Sequence, residues 1–219
     1  MTFEAVPRLI LASGSMARRQ LLAATGLPFD VVPAAVDEAA VKREGMAEGI
    51  DAAALALRLA ETKARHVSAL HGAELVLAAD QILALGTGML DKPVGRNGLA
   101  EHLARLQGRS HDLVNGVILM RGGQVLWSYT DRVRMLMRSL DQETRDSYVR
   151  DAPDAVLQSV GGYRIEAEGI HLFAAIDGDS SSIQGLPLLP VLAALREEGL
   201  CWHPAPADGK PGKREDEGQ

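Results

Sequence analysis

Glu74 to Ala79 reads Glu-Leu-Val-Leu-Ala-Ala, an apolar run with no alternation of polar and apolar side chains. A strand with one wet face alternates; a run that does not alternate is expected to be covered on both faces. That segment therefore calls for helices above and below a sheet. The longest helical pattern supplies one of them. Between Asp51 and Leu70, Leu55, Leu59, Lys63 and Val67 recur at steps of four, with Ala56, Ala60 and Ala64 on the adjoining ridge. The chain is expected to be an α/β protein.

Other segments fit this frame. Arg8 to Ala12 is a short strand closed by Ser13-Gly14-Ser15, and a helix follows to Thr25. Phe29 to Val32 is a second strand, and Pro33 to Gly49 reads as a long polar loop holding Asp37 and Glu38. After Asp80-Gln81 at the end of the unalternating strand, Ile82 to Leu85 is a further short strand, and Asp91-Lys92-Pro93 lies on a loop. Asn97 to Leu106 is a helix stopped by Gly108. Val114 to Met120 and Val125 to Met137 flank Arg121-Gly122-Gly123 as a long hairpin. Asp141 to Arg150 is a helix, Tyr163 to Glu166 and His171 to Ile176 are strands, and Pro187 to Glu198 is a closing helix.

Length and composition narrow the function. With 219 residues, 47% hydrophobic, one core-forming domain from residue 1 to 202 is expected, followed by a disordered tail rich in Pro, Gly and charge from 203 to 219. The 29 acidic and 23 basic residues give a net charge of -6, which excludes non-specific attraction to nucleic acid or anionic lipid. A polyanionic ligand must meet a local cluster of cations. Cys201 is the single cysteine, so a disulfide framework, a CxxC pair and a multi-cysteine zinc site are excluded. No stretch reaches the ~18–20 apolar residues of a spanning helix. The reading is cytoplasmic.

Several familiar chemistries are absent: no G-x-x-x-x-G-K-[ST], no G-x-G-x-x-G, no H-E-x-x-H and no G-x-S-x-G. The six histidines form no ligand pattern. What remains is charge at the ends of apolar elements. Ser13, Gly14 and Ser15 open a helix whose free N–H groups favour an anion, with Arg18 one turn inside; a plain serine cap with a solvated arginine is the alternative. Asp80 follows a buried strand, where α/β sheets commonly face a ligand crevice. Lys63, on an apolar stripe, either meets an anionic partner or snorkels to solvent. Glu38 and Asp80 offer hard oxygen ligands to Mg²⁺ or Mn²⁺, while Arg18, Lys63 and Lys92 offer cations to phosphate. Together they suggest phosphate-ester or anhydride chemistry.

Six segments carry a resemblance. Leu-Ile-Leu-Ala-Ser-Gly-Ser-Met-Ala-Arg-Arg-Gln-Leu-Leu, Val36 to Glu38, Leu59 to Ala64, Ala78 to Ile82, Asp91 to Pro93 and Gly178 to Leu188 occur in the order and spacing of the Maf family. The chain resembles that family from Arg8 to about Leu200. The resemblance implies a single Maf/ITPase-like domain, with a central twisted mixed sheet flanked by helices and a ligand cleft at strand ends. It implies cleavage of a nucleoside triphosphate to the monophosphate and pyrophosphate, by metal-assisted attack of water on the α-phosphorus. It also implies a divalent cation, Mg²⁺ or Mn²⁺, a homodimer and a link to septum formation. By the same resemblance Ser13, Ser15 and Arg18 bind phosphate. Glu38, Lys63, Asp80 and Lys92 join Arg18 as the charged catalytic set, and Glu38 and Asp80 are the metal ligands.

Base choice falls to Ala17, Gln81 and Glu166 in the same comparison. Asp80-Gln81 and Glu166 are similar to the 7-methyl-GTP branch of the family; the dTTP/UTP branch has Asp-Thr and a Gln. Ala17 stands where that first branch can carry an aromatic, and Ala167-Glu168 replaces a Gly-containing pair. A dTTP/UTP pyrophosphatase is the alternative enzyme. A division regulator that binds nucleotide without significant turnover is the alternative of another class.

Overall fold

The computed structural model describes residues 8–200. The expected boundary at 202 and the expected tail over 203–219 lie outside the described residues. Among the described residues seven strands form one mixed sheet: β1 (Leu9–Leu11), β2 (Asp30–Val31), β3 (Leu75–Leu85), β4 (Gly88–Leu90), β5 (Ser110–Arg121), β6 (Gln124–Met137) and β7 (Phe173–Asp177). Their order is β2-β1-β3-β5-β6-β7, with β4 added beside β3. β1 pairs in parallel with β2 and β3, and the remaining pairs are antiparallel.

The helices are α1 (Met16–Ala23), α2 (Glu38–Glu48), α3 (Ala52–Leu70), α4 (Gly95–Leu106), α5 (Gln142–Asp151), α6 (Ser180–Ile183) and α7 (Leu188–Glu197). Side chains alternate across β1, β3 and β5 and so divide the core. Ile10, Val76, Ala78, Ile118 and Met120 pack on Ala60, Ala64 and Val67 of α3. Leu9, Leu11, Leu75, Leu77, Val117 and Leu119 pack on the opposite face with Leu22 of α1 and Val191 and Leu195 of α7. The unalternating run at Leu75 to Ala79 is covered on both faces, as its pattern requires.

α3 comes unusually close to the sheet. A Cβ at Gly116 of β5 would lie 2.3 Å from the Ala56 carbonyl carbon, so a glycine faces an alanine ridge where the two backbones nearly touch. Gly116 is paired with Asp80 across the ladder. The close approach sets the height at which Lys63, two turns further along α3, meets that strand.

Four expectations need correction. Pro33 to Gly49 is not a loop throughout: Asp37 accepts the Ala40 N–H at 2.9 Å and starts α2, which ends at Gly49 in the left-handed region at φ 72°. The pattern was weak because Gly45 is the one fully buried residue of that helix. Ile82 to Leu85 is no separate strand; β3 runs unbroken through Asp80 and Gln81 because β5 pairs with it from Val76 to Ala84. Asp80 is accordingly mid-strand. Tyr163 to Glu166 is not a strand but turns between two 3-10 helices, Asp154–Gln158 and Glu168–Leu172. Gly162 at φ 72° turns the chain there, and Tyr163, with Val156 and Leu172 of the two flanking 3-10 helices, enters the core without ladder partners.

Candidate active site

β1 stops at Leu11, which pairs with Leu77, and the next backbone contact is the Ala12 N–H donating to the Leu77 carbonyl at 2.8 Å. β4 does not begin pairing with β3 until Leu83. Between those partners β3 has a notch at Asp80 to Ile82, open on the side β1 has vacated. Successive residues point to opposite faces, so the notch presents Asp80 towards α3 and Gln81 towards α6. A cleft of about 560 Å³ opens there. Every residue singled out from the sequence lines it: Ser13, Ser15, Ala17, Arg18, Glu38, Lys63, Asp80, Gln81, Lys92 and Glu166.

On the α3 side Lys63 is buried, and its ammonium lies between two carboxylates. It contacts Asp80 and reaches Glu38 Oε1 at 2.9 Å. The lysine in the apolar stripe thus has anionic partners and does not snorkel. Burial pushes the Glu38 carboxyl up, but the Lys63 ammonium, its hydrogen bond, and the charges of Lys42 and Lys92 outweigh that and hold it below its usual range.

The β1–α1 turn forms the next wall. Ser15 caps α1, its hydroxyl accepting the Arg18 N–H at 3.4 Å, and the Ser13 hydroxyl accepts from the Ser15 N–H at 3.3 Å. Arg18 is buried rather than solvated. Its Nε donates to the Gly185 carbonyl at 2.8 Å and its Nη1 to the Ser13 hydroxyl at 3.3 Å. Burial lowers the guanidinium pKa against the pull of Asp80 and Glu38. Gly185, at φ 95°, holds a conformation that residues with a side chain rarely adopt, and a Cβ there would press on the guanidinium at 3.2 Å from Arg18 Nε.

The Gly178 to Leu188 segment acts through its backbone. Asp179 accepts the N–H groups of Ser181 and Ser182 and the Ser181 hydroxyl, and the Leu188 N–H closes on that hydroxyl at 3.0 Å. The carbonyls so positioned take the Gln81 amide: Nε2 lies 3.1 Å from Ser182 O, Ile183 O and Asn115 Oδ1, while Asn115 Nδ2 donates to Ser182 O at 2.8 Å. The amide nitrogen of Gln81 is spent on the protein, which leaves its oxygen as the group free to accept from a ligand in the cleft Gln81 lines. On the remaining wall Arg164 Nε donates to Glu166 Oε1 at 2.8 Å.

Sequence reasoning missed Lys42, Arg164, Asn115 and the irregular wall from Ala155 to Ile165. Lys42 sits one turn past Glu38, a spacing that becomes informative once α2 is known to be a helix. Among the described residues five cations, Arg18, Lys42, Lys63, Lys92 and Arg164, line the cleft against the carboxylates Glu38, Asp80 and Glu166. An acidic chain thus carries a locally basic pocket, suited to a polyanion. A second hollow of about 280 Å³ borders Asp112, Arg132 and Arg134, but there the carboxylate already holds both guanidinium groups at 2.8–3.2 Å.

Among the described residues no three His, Cys, Asp or Glu side chains form a metal-binding group. Glu38 and Asp80 nevertheless converge on one cation, the Lys63 ammonium. Two hard carboxylates suit Mg²⁺, which keeps waters and completes its shell with substrate phosphate instead of an all-protein cage.

A mixed sheet with a cation-rich notch beside a paired Lys-Asp-Glu group defines a protein built to hold a polyphosphate. The model of the family described as Maf-like protein matches residues 8–198, and the chain belongs to that family. It is 47% identical over 193 residues to the nucleoside triphosphate pyrophosphatase of Nitrobacter hamburgensis, covering 88% of this chain and 94% of that one. It is 42% identical to the 7-methyl-GTP pyrophosphatase of Rhizobium meliloti, over 88% of this chain and 97% of that one. A solved HAM1 protein from Coxiella burnetii aligns with 74% of this chain and 100% of its own at 17% identity and a TM-score of 0.39.

Proposed function

We propose that this protein is a nucleoside triphosphate pyrophosphatase, a hydrolase that converts a nucleoside triphosphate and water to the monophosphate and pyrophosphate. The single observation that carries the reading is the convergence of Glu38, Lys63, Asp80, Lys92 and Arg18 on one notch of the sheet. The water oxygen forms a bond to the α-phosphorus as the α–β bridging bond breaks, and pyrophosphate leaves with the bridging oxygen. Asp80 accepts a proton from the water. Lys63, held against Asp80, stabilises the charge that grows on the α-phosphoryl oxygens, and Lys92 and Arg18 do the same along the polyphosphate. Ser13 and Ser15 present the N-terminus of α1 to phosphate. Glu38 and Asp80 would hold a divalent cation, Mg²⁺ or Mn²⁺, which supplies Lewis-acid neutralisation of phosphate charge.

Base recognition is assigned to Ala17, Gln81 and Glu166. With its nitrogen tied back, Gln81 offers an acceptor, and Glu166 Oε2 is a second; two acceptors match the N1–H and N2–H₂ edge of guanine better than a pyrimidine edge. Ala17 gives no stacking face for a cationic 7-methylguanine, so guanine-type and 7-methylguanine triphosphates are expected as a relaxed set. We also place the enzyme in the cytoplasm, consistent with one cysteine in the sequence and no helix, among the described residues, long and apolar enough to cross a membrane. A homodimer is supported by the outer edge of β6 before Arg134, which has no strand partner among the described residues.

The test is pyrophosphate release from a panel of natural and methylated triphosphates with Mg²⁺, Mn²⁺ or Co²⁺. Release favouring guanine-type bases, abolished by excess EDTA, is expected. Full turnover in EDTA would remove the metal from the account, and a clear preference for dTTP or UTP would remove Glu166 and Gln81 from base reading.

A further inference from the structure

The cleft's cations are not equally committed. Lys63 is held between Glu38 and Asp80, and Arg18 is tied to Gly185 O and Ser13 Oγ. Lys42 differs. Its side chain is 21% exposed and lines the cleft, and its ammonium rests on Asp91, whose side chain is 68% exposed. This pair spans from α2 to the loop that carries Lys92. An ion pair whose acid is so well hydrated contributes little stability and is cheaply exchanged. A multiply charged phosphate is a stronger acceptor than a solvated carboxylate.

Resting on the pyrophosphatase reading, we propose that Lys42 is a specificity-determining residue that binds the leaving pyrophosphate, and that Asp91 parks it until the β- and γ-phosphates arrive. Lys42 lies on the same face of α2 as Glu38, one turn on, so a cation there adds to Lys92 without entering the Lys63 pair. The exchange is of partners only. No bond to phosphorus changes at Lys42. Occupied, it opposes loss of the terminal phosphates from the ground state and neutralises the pyrophosphate as it departs; a monophosphate, which lacks those groups, gains nothing from it. The enzyme would thereby tell triphosphates from monophosphates with a cation that the bare protein keeps occupied.

The test is isothermal titration of inorganic pyrophosphate, and separately of a nucleoside monophosphate, into wild type, Lys42→Gln, Lys42→Arg and Asp91→Asn in magnesium-containing buffer. Lys42→Gln should weaken pyrophosphate binding about tenfold or more and leave monophosphate binding within about twofold, as expected for one lost charge-assisted contact. Lys42→Arg should retain most of the affinity, and Asp91→Asn should tighten pyrophosphate by a few-fold because the competing carboxylate is gone. Pyrophosphate affinity of Lys42→Gln within about twofold of wild type, or equal losses for pyrophosphate and monophosphate, would overturn the proposal. Wild-type pyrophosphate release from a triphosphate, measured alongside, judges the pyrophosphatase reading separately, since the titration requires no turnover.

Discussion

The two ends of the cleft are built differently. The end that carries Lys63, Asp80 and Glu38 rests on α3, on β3 and on the first turn of α2, and the backbone of α3 is pressed against Gly116 so that Lys63 and Asp80 meet at fixed depth. The end that carries Glu166 rests on turns and two 3-10 helices, held to the sheet by side chains. His111 of β5 meets the Tyr163 hydroxyl at 2.6 Å, and Phe173 packs edge-on against Tyr163 with ring centroids 4.7 Å apart. Regular structure fixes the end to which the reaction is assigned, where small displacements would cost rate. Irregular structure supplies the other end, where backbone can change without disturbing the sheet.

The sharpest way to break this contrast is Lys63→Ala. It removes a cation proposed to face transition-state charge and takes from buried Asp80 its ion-pair partner. kcat/KM should fall by about 10²-fold or more, and urea denaturation should register a loss of about 3–5 kcal/mol. Near-normal rates would make the lysine structural and dissolve the proposed difference between the ends.

The anchor of the irregular end is pH-sensitive. Burial pulls the His111 pKa down to about 4, so the folded ring stays neutral where an unfolded one, near its ordinary 6.5, takes up a proton. The unfolded chain holds more protons between those values. Stability from this group is therefore complete above pH 6.5 and is lost as pH falls towards 4, by about 3 kcal/mol. Carboxylates add losses of their own, so the measurement is the difference between wild type and His111→Leu in denaturation midpoint from pH 7 to 4.5. A difference that does not change with pH would contradict the assignment.

Gly116→Ala probes the other end. A methyl 2.3 Å from the Ala56 carbonyl carbon forces α3 away from β5, at a cost of about 1–3 kcal/mol. Because Lys63 rides on α3, kcat should fall while the ranking of bases is kept. Glu166→Gln should do the reverse: kcat is preserved, and the preference for guanine-type over thymine triphosphates narrows by about five- to tenfold as an acceptor becomes a donor. Steady-state kinetics on both variants with GTP, 7-methyl-GTP and dTTP compares them directly. If each variant altered rate and ranking together, the ends would not be separable.

What was legible in the sequence follows the same division. The Asp51 cap, the alanine ridge and the lysine in the stripe announce α3, and the unalternating run announces β3, because local periodicity and burial agree there. α2 was hidden, since it buries almost nothing and so shows little apolar period. Tyr163-Arg164-Ile165-Glu166 alternates as a strand would, but among the described residues no strand pairs with it, and Gly162 turns it aside. The links from Gln81 to Ser182 and from Arg18 to Gly185 join residues more than a hundred positions apart. No local pattern encodes them, although the short motifs at both ends of each link were visible.

The Lys63-Asp80 end is proposed to direct water at the α-phosphorus. Hydrolysis of GTP in water enriched with ¹⁸O, read by phosphorus NMR and mass spectrometry of the products, tests this most directly. Pyrophosphate is expected as the first product, with the heavy oxygen in the monophosphate alone. Heavy oxygen in the pyrophosphate, or orthophosphate released first, would contradict it.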